Sequence, residues 1–156
     1  MAIELALYQP EIPQNTGTLI RLCACFDMLI HIIHPTAFAF TQKNLRRGGL
    51  DYLDEASIVE HASHAAFDAW RNAQQRRLVL LTTKAKMSAF EVAYASNDIL
   101  MVGRESSGVP ESVATNADLA VRIPMRHGLR SINVALAATL VLGEAKRQTD
   151  KFIGLT

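Results

Sequence analysis

Apolar residues in this chain fall in short, nearly unbroken runs set at intervals: AIELALY (Ala2–Tyr8), LIHIIH (Leu29–His34), RLVLLT (Arg77–Thr82) and ILMV (Ile99–Val102). Runs of that length, poor in alternation and bounded by turn residues, predict strands covered on both faces. Between them the spacing changes to that of helices. Asn15–Phe26 aligns Leu19, Leu22, Cys23 and Phe26 on one helical face. A short helix is predicted over Gln42–Arg47, stopped by Gly48-Gly49, and an Ala-rich helix over His64–Ala73. Ser131–Thr149 is the longest predicted helix; it is apolar nearly all round from Ile132 to Leu142, which predicts a buried or interfacial element. Brief strands at Ser57–Glu60 and Leu119–Ile123 and helical turns at Ser88–Tyr94 and Pro110–Thr115 complete the pattern. Strands alternating with helices at this rhythm predict an α/β fold, a parallel sheet with helices on both faces.

The chain has 156 residues and no internal repeat, linker or low-complexity segment, so one domain with one sizeable core is expected over 1–156. Its 49% hydrophobic and 20% charged residues are a globular composition. Sixteen Lys and Arg against fifteen Asp and Glu leave a formal charge of +1, so a polyanion would have to be met by local clusters. No signal-like amino terminus and no membrane-length apolar run is visible, which predicts a cytoplasmic protein without a membrane partner. Cys23 and Cys25, the only cysteines, point apart on a helix and the five His are scattered, so no metal site is expected. Both cysteines read as small buried side chains in a reducing compartment.

Four constellations carry candidate chemistry. In PEIPQNTGTLIR (Pro10–Arg21), Pro13 favours entry into a helix that Asn15 or Thr16 would cap, and Gly17 permits close backbone approach. Arg21 follows on the face of Gly17, where a guanidinium can hold a phosphate or a developing alkoxide; the plainer reading is an ordinary surface Arg. KNLRRGGLDY (Lys43–Tyr52) sets Lys43, Arg46 and Arg47 before the Gly pair, with Tyr52 nearby. That suits a nucleic-acid contact, or equally cations favoured by a helix carboxyl terminus.

GRESSG (Gly103–Gly108) lacks both the GxGxxG and the GK[ST] spacing, which disfavours a dinucleotide or nucleoside triphosphate. Gly103 would let a nucleoside lie against backbone and Glu105 would offer a carboxylate, unless the segment is simply a tight turn with a surface Glu. IPMRHGLRSIN (Ile123–Asn133) puts Arg126, His127 and Arg130 in one loop before Ser131 and Asn133, which can cap a helix or meet a ligand. Neither Ser106 nor Ser131 lies in GxSxG, so a serine hydrolase is excluded.

Taken in order, NTGTLIR, GRESSGVPE and IPMRHGLRSINVALAATLVLGEA resemble the three motifs of the SPOUT RNA methyltransferases, and the chain is most similar to the minimal TrmL-type tRNA wobble-nucleotide 2′-O-methyltransferases. LYQPEIPQNTG, HIIHP, LRRGGLDY and LTTK add local matches. The third motif departs from the wobble-enzyme pattern in having Ala135 and Leu136 for a Ser-Asn pair and Gly143 for a Tyr. The resemblance implies a single α/β parallel-sheet domain with a carboxyl-terminal deep trefoil knot. It implies S-adenosyl-L-methionine held by Leu81, Gly103, Ile123, Leu129 and Ser131, and a homodimer. Arg21 matches the family's catalytic arginine, Glu105 the second-motif carboxylate, and Ser131 and Asn133 the polar residues of the third. The implied reaction is 2′-O-methylation of cytidine or 5-modified uridine at position 34 of tRNA. Lys43, Arg46, Arg47, Arg126 and Arg130 would then hold the anticodon stem-loop. Rival expectations are another tRNA position or rRNA as target, or a catalytically silent RNA-binding module.

Overall fold

The computed structural model describes residues 1–47 and 52–156, and of Arg47 the backbone alone. The expected Gly48-Gly49 stop therefore lies outside the described residues. Within them the elements are β1 (Glu4–Tyr8), α1 (Pro13–Cys25), β2 (Leu29–Ile33), α2 (Gln42–Arg47), a 3-10 turn (Leu53–Glu55), β3 (Ser57–His61), α3 (His64–Ala73), β4 (Arg77–Leu81), β5 (Met87–Ser88), β6 (Asp98–Val102), α4 (Glu111–Thr115), β7 (Leu119–Arg122) and α5 (Val134–Thr149). The seven strands form one sheet in the order β3-β2-β1-β6-β4-β7-β5, and every pairing is parallel.

Strict alternation of side chains along each strand divides the core in two. Leu5 and Leu7 of β1, Ile30 and Ile32 of β2, Val79 of β4 and Leu100 and Val102 of β6 face α1 and α5, whose Leu19, Ile20, Ala138, Val141 and Leu142 close that side. Ala6, Tyr8, Ile33, Leu78, Leu80, Ile99 and Met101 face the other way, onto Phe67 of α3 and Val113 of α4. Burial on both faces is why these strands read as apolar runs.

Several sequence expectations need correction. Ser88–Tyr94 is not a helical turn: Met87 and Ser88 pair with Val121 and Arg122 as an edge strand, and turns follow. Tyr94 is anchored there by its hydroxyl donating to Ala89 O at 2.7 Å, so its burial comes from tertiary packing rather than a helical face. Helix α1 starts two residues before the expected Asn15, with Pro13 in the first turn and Ile12 as an N-cap that supplies no side-chain bond. Only half of the cysteine expectation holds: Cys23 is buried and Cys25 is exposed. Helix α5 begins at Val134 rather than Ser131, because Asn133 Oδ1 accepts from Ala135 N and Leu136 N and fixes the start there. Nor is α5 covered all round; Leu136 and Leu140 are 62% and 51% exposed.

The carboxyl ends of β1 and β6 form a topological switch point. From β1 the chain turns outward through α1 to β2; from β6 it turns the opposite way through α4 to β7. Crevices at such points are where open parallel sheets bind ligands.

Candidate active site

The crevice is lined by Leu7 and Pro10 after β1, by Asn15, Thr16 and Leu19 of α1, by Val102, Gly103 and Glu105 after β6, and by Val134 at the start of α5. All three sequence motifs contribute a wall.

What joins them is a set of hydrogen bonds. The Glu105 carboxylate accepts from Glu11 N at 2.8 Å, Ile12 N at 3.2 Å and Asn15 Nδ2 at 3.5 Å. The entrance of α1, which has no capping side chain of its own, is thus met by an anion from a loop more than ninety residues on. That charge also suits the positive end of the helix dipole. Asn15 Oδ1 in turn accepts from Asn133 Nδ2 at 3.0 Å. One carboxamide therefore ties the second motif to the third, while Asn133 Oδ1 caps α5. Asn15 is not a helix cap as expected from the sequence: with Pro13 in the first turn its side chain is free to reach outward. The rule that Pro occupies the first helical position is the signal that would have placed it correctly.

The 103–108 loop closes on itself through paired backbone bonds between Arg104 and Gly108. A Cβ on Gly103 would stand 2.6 Å from the Gly108 carbonyl carbon, so a bare backbone is required there, and Gly108 takes φ +66°. Arg104, which the sequence did not single out, bonds Gln9 and lies over the Tyr8 ring at 5.3 Å. Ser106 Oγ donates to Glu11 at 2.7 Å, a third tie between this loop and the entrance of α1.

Register brings three of the five expected cofactor residues to one edge of the sheet. Leu81 pairs with Val102 on one side and Val121 on the other, so on the flanking strands Gly103 lies one residue and Ile123 two residues beyond the level of Leu81. Leu129 and Ser131 lie in the exposed loop between β7 and α5. Thr16 Oγ1 is a fully buried hydroxyl in the crevice wall with no partner among the described residues, so a hydrogen-bonding group is available to a ligand.

Arg21 stands apart from the crevice lining, six residues beyond Asn15 on α1, or about 9 Å along the axis. Its guanidinium lies over the Tyr52 ring, 4.5 Å from the centroid. Among the RNA candidates, Lys43, Arg126 and Arg130 are exposed, and Arg46 faces Asp54 at 3.8 Å across solvent, a weak pair. The Arg47 side chain lies outside the described residues. Among the described residues no group of His, Cys, Asp and Glu is placed to hold a metal.

Comparison with known proteins agrees with this geometry. The SpoU rRNA Methylase family model matches residues 2–143. A tRNA (cytidine(34)-2′-O)-methyltransferase of Ancylobacter novellus is 49% identical over 97% of this chain and 96% of its own length. The protein of the same name from Escherichia coli K12 is 43% identical over 94% and 93%. Among solved structures, one from work on 2-OH methylation of C/U34 on tRNA superposes with a TM-score of 0.86, 36% identity, and coverage of 94% of this chain and 95% of that one. The SpoU methyltransferase AviRb from Streptomyces viridochromogenes in complex with the cofactor AdoMet gives a TM-score of 0.84 at 25% identity, covering 94% of this chain and 60% of that one. With its three motifs meeting in one crevice and its family match running nearly end to end, the chain belongs to the SpoU rRNA Methylase family.

Proposed function

We infer that this protein is an S-adenosylmethionine-dependent tRNA 2′-O-methyltransferase acting on the ribose of nucleotide 34, cytidine or 5-modified uridine. The observation that carries the reading is the Glu105–Asn15–Asn133 junction, which unites the three motifs in a chain matching wobble methyltransferases over almost its whole length. The family model's own description names rRNA, and another RNA target with the same chemistry is the alternative.

Bound S-adenosylmethionine supplies an electrophilic methyl group. Leu81, Gly103, Ile123, Leu129 and Ser131 are proposed to hold it. Support comes from the first three following one another within two residues at the carboxyl edge of the adjacent strands β6, β4 and β7, and from the bare backbone at Gly103. A ribose hydroxyl is a poor nucleophile at neutral pH, so the residues must orient its oxygen in line and stabilise negative charge as its proton leaves. Arg21 is assigned to orientation and charge stabilisation, with water or a phosphate taking the proton. Glu105 has both oxygens committed to the entrance of α1 and acts by holding the second motif against the first. Asn133 fixes the start of α5, leaving the exposed Ser131 hydroxyl to face ligand.

We further propose that residues 1–156 work as one methyltransferase domain, with the carboxyl-terminal segment threaded as a deep trefoil knot. Support is the return of α5 across the sheet to pack beside α1. A homodimer is supported by Leu136 and Leu140, exposed apolar residues at helical spacing on α5, with exposed Ile132 in the loop just before it. Lys43, Arg46, Arg47, Arg126 and Arg130 are proposed to bind the anticodon stem-loop, and two unbridged cysteines fit the cytoplasm. No helix among the described residues is long and apolar enough to cross a membrane.

Mass spectrometry of tRNA and of rRNA, each incubated with the protein and S-adenosylmethionine, tests the reading: one new 2′-O-methyl at position 34 of tRNA is expected, whereas methylation at another tRNA position or only of rRNA, or none with RNA still bound, would point to the rivals. Arg21→Ala is expected to slow single-turnover methylation about 100-fold, the scale of removing one charge-stabilising donor.

A further inference from the structure

We propose that Tyr52 is the positioning residue of Arg21, holding the guanidinium over its ring face while leaving both its charge and its donors available to the substrate. The proposal rests on Arg21 acting in methyl transfer, as above.

Four of this protein's other arginines supply the contrast. Arg71 bonds Asp68 and Asp118, Arg76 pairs with Glu4, Arg77 with Asp98, and Arg147 with Glu144. Each is gripped by a carboxylate, which consumes donors and neutralises the cation. Those four arginines fasten strand ends or helix turns, where neutralisation costs nothing. Arg21 departs from those four: among the described residues no carboxylate pairs with it, and, as with Arg104 over Tyr8, its neighbour is the face of an aromatic ring, here at 4.5 Å.

A guanidinium stacked on a ring is attracted through its plane, by the negative quadrupole of the face, and its five N–H groups point outward at the rim. Such a partner fixes orientation without competing for hydrogen bonds. It also leaves a full positive charge, which an arginine must keep if it is to stabilise a developing alkoxide.

The local fold sets the ring in place. Tyr52 immediately precedes the 3-10 turn Leu53–Glu55, and Leu53 packs against the core cluster that contains Leu19, Ile20 and Cys23 of α1. That anchor puts the tyrosine beside the helix that carries Arg21. Tyr52 itself is 36% exposed, so replacing it removes little of the core.

The test compares Tyr52→Leu, Tyr52→Phe, Arg21→Ala and the Arg21→Ala/Tyr52→Leu double variant in single-turnover methylation at saturating tRNA and S-adenosylmethionine. Thermal midpoint and tRNA affinity are measured on each. Tyr52→Leu is expected to slow the step roughly tenfold, as misplacing a reacting group does, with affinity and midpoint near wild type. Tyr52→Phe keeps the ring face and is expected within about twofold of wild type. Because the tyrosine acts through the arginine, the double variant is expected to be no slower than Arg21→Ala alone. Wild-type turnover in Tyr52→Leu beside a slow Arg21→Ala overturns the positioning role while sparing the arginine. Equal losses in Tyr52→Phe and Tyr52→Leu, or fully multiplicative losses in the double variant, also overturn it. Wild-type turnover in Arg21→Ala overturns both.

Discussion

A carboxamide is a neutral side chain with a donor at one end and an acceptor at the other, and Asn15 uses both, toward Glu105 and from Asn133. The sequence made Asn15 legible as a polar residue at a helix entrance but assigned its bonding to the helix itself. Bonds between residues this far apart along the chain leave no local periodicity to detect. Glu105 shows the same divide: its residue type in GRESSG marked it as a candidate, while its commitment to the Glu11 and Ile12 amides emerged only from the fold. Gly103 was read as a place where a nucleoside lies against backbone, and what its bare Cα meets within this chain is the backbone of Gly108. Gly103→Ala is expected to destabilise the protein by roughly 1–3 kcal/mol through overpacking against backbone. It should also open the loop that carries Glu105. Urea unfolding together with calorimetric titration of S-adenosylmethionine checks this; unchanged stability and binding would show that the loop yields at no cost.

Among the elements, the buried strands were nearly complete in the sequence because burial on both faces writes apolar runs. Edge strand β5 was not, since two residues carry no period and the turns after it resemble a helical turn. Equally illegible was what three strands share on the α3 side of the sheet. His31 of β2 sits fully buried between Glu4 of β1, 2.9 Å from Nε2, and His61 of β3, 3.0 Å from Nδ1. Glu4 also pairs with Arg76, so its charge is already offset. Phe67 and Trp70 of α3 lie over the two imidazoles. Burial pushes the His31 ring down to about 4 and also lowers His61, which His31 further opposes. An unfolded histidine titrates near 6.5, so between roughly pH 6.5 and 4 the unfolded chain takes up a proton that the native state refuses. Stability contributed by the neutral ring is complete above that window and is lost on acidification through it, by about 3 kcal/mol in all. Urea midpoints measured from pH 7 to 4 should fall accordingly, and His31→Gln should flatten that slope; an equal slope in the variant would remove His31 as the cause.

Across the whole molecule, charge is sorted by end of the sheet. Arg76 and Arg77 meet Glu4 and Asp98 at the amino ends of β1 and β6, and Arg71 meets Asp118 just before β7. At the opposite edge, Arg126 and Arg130 are exposed and make no ion pair among the described residues, which suits a surface for a polyanion. Neutralising both by Arg126→Gln and Arg130→Gln should weaken tRNA binding and make the slope of log affinity against log salt shallower by about one for each phosphate left unneutralised. Fluorescence anisotropy at several salt concentrations reads this out, and an unaltered slope would move the RNA elsewhere. Leu136→Glu places a charge in the exposed stripe of α5; light scattering should then give half the wild-type mass if that stripe joins two copies, and an unchanged mass would put the dimer interface on another face. The near-zero net charge foretold none of this sorting, because totals carry no positions.

Strand β1 lies between β2 and β6, yet Tyr8 ends it about ninety residues before Asp98 opens β6. During synthesis on a ribosome, β2 arrives promptly to pair one flank, while the other flank must wait for most of the polypeptide to emerge. Throughout that wait an apolar strand with open backbone donors and acceptors is exposed to mispairing with neighbouring nascent chains.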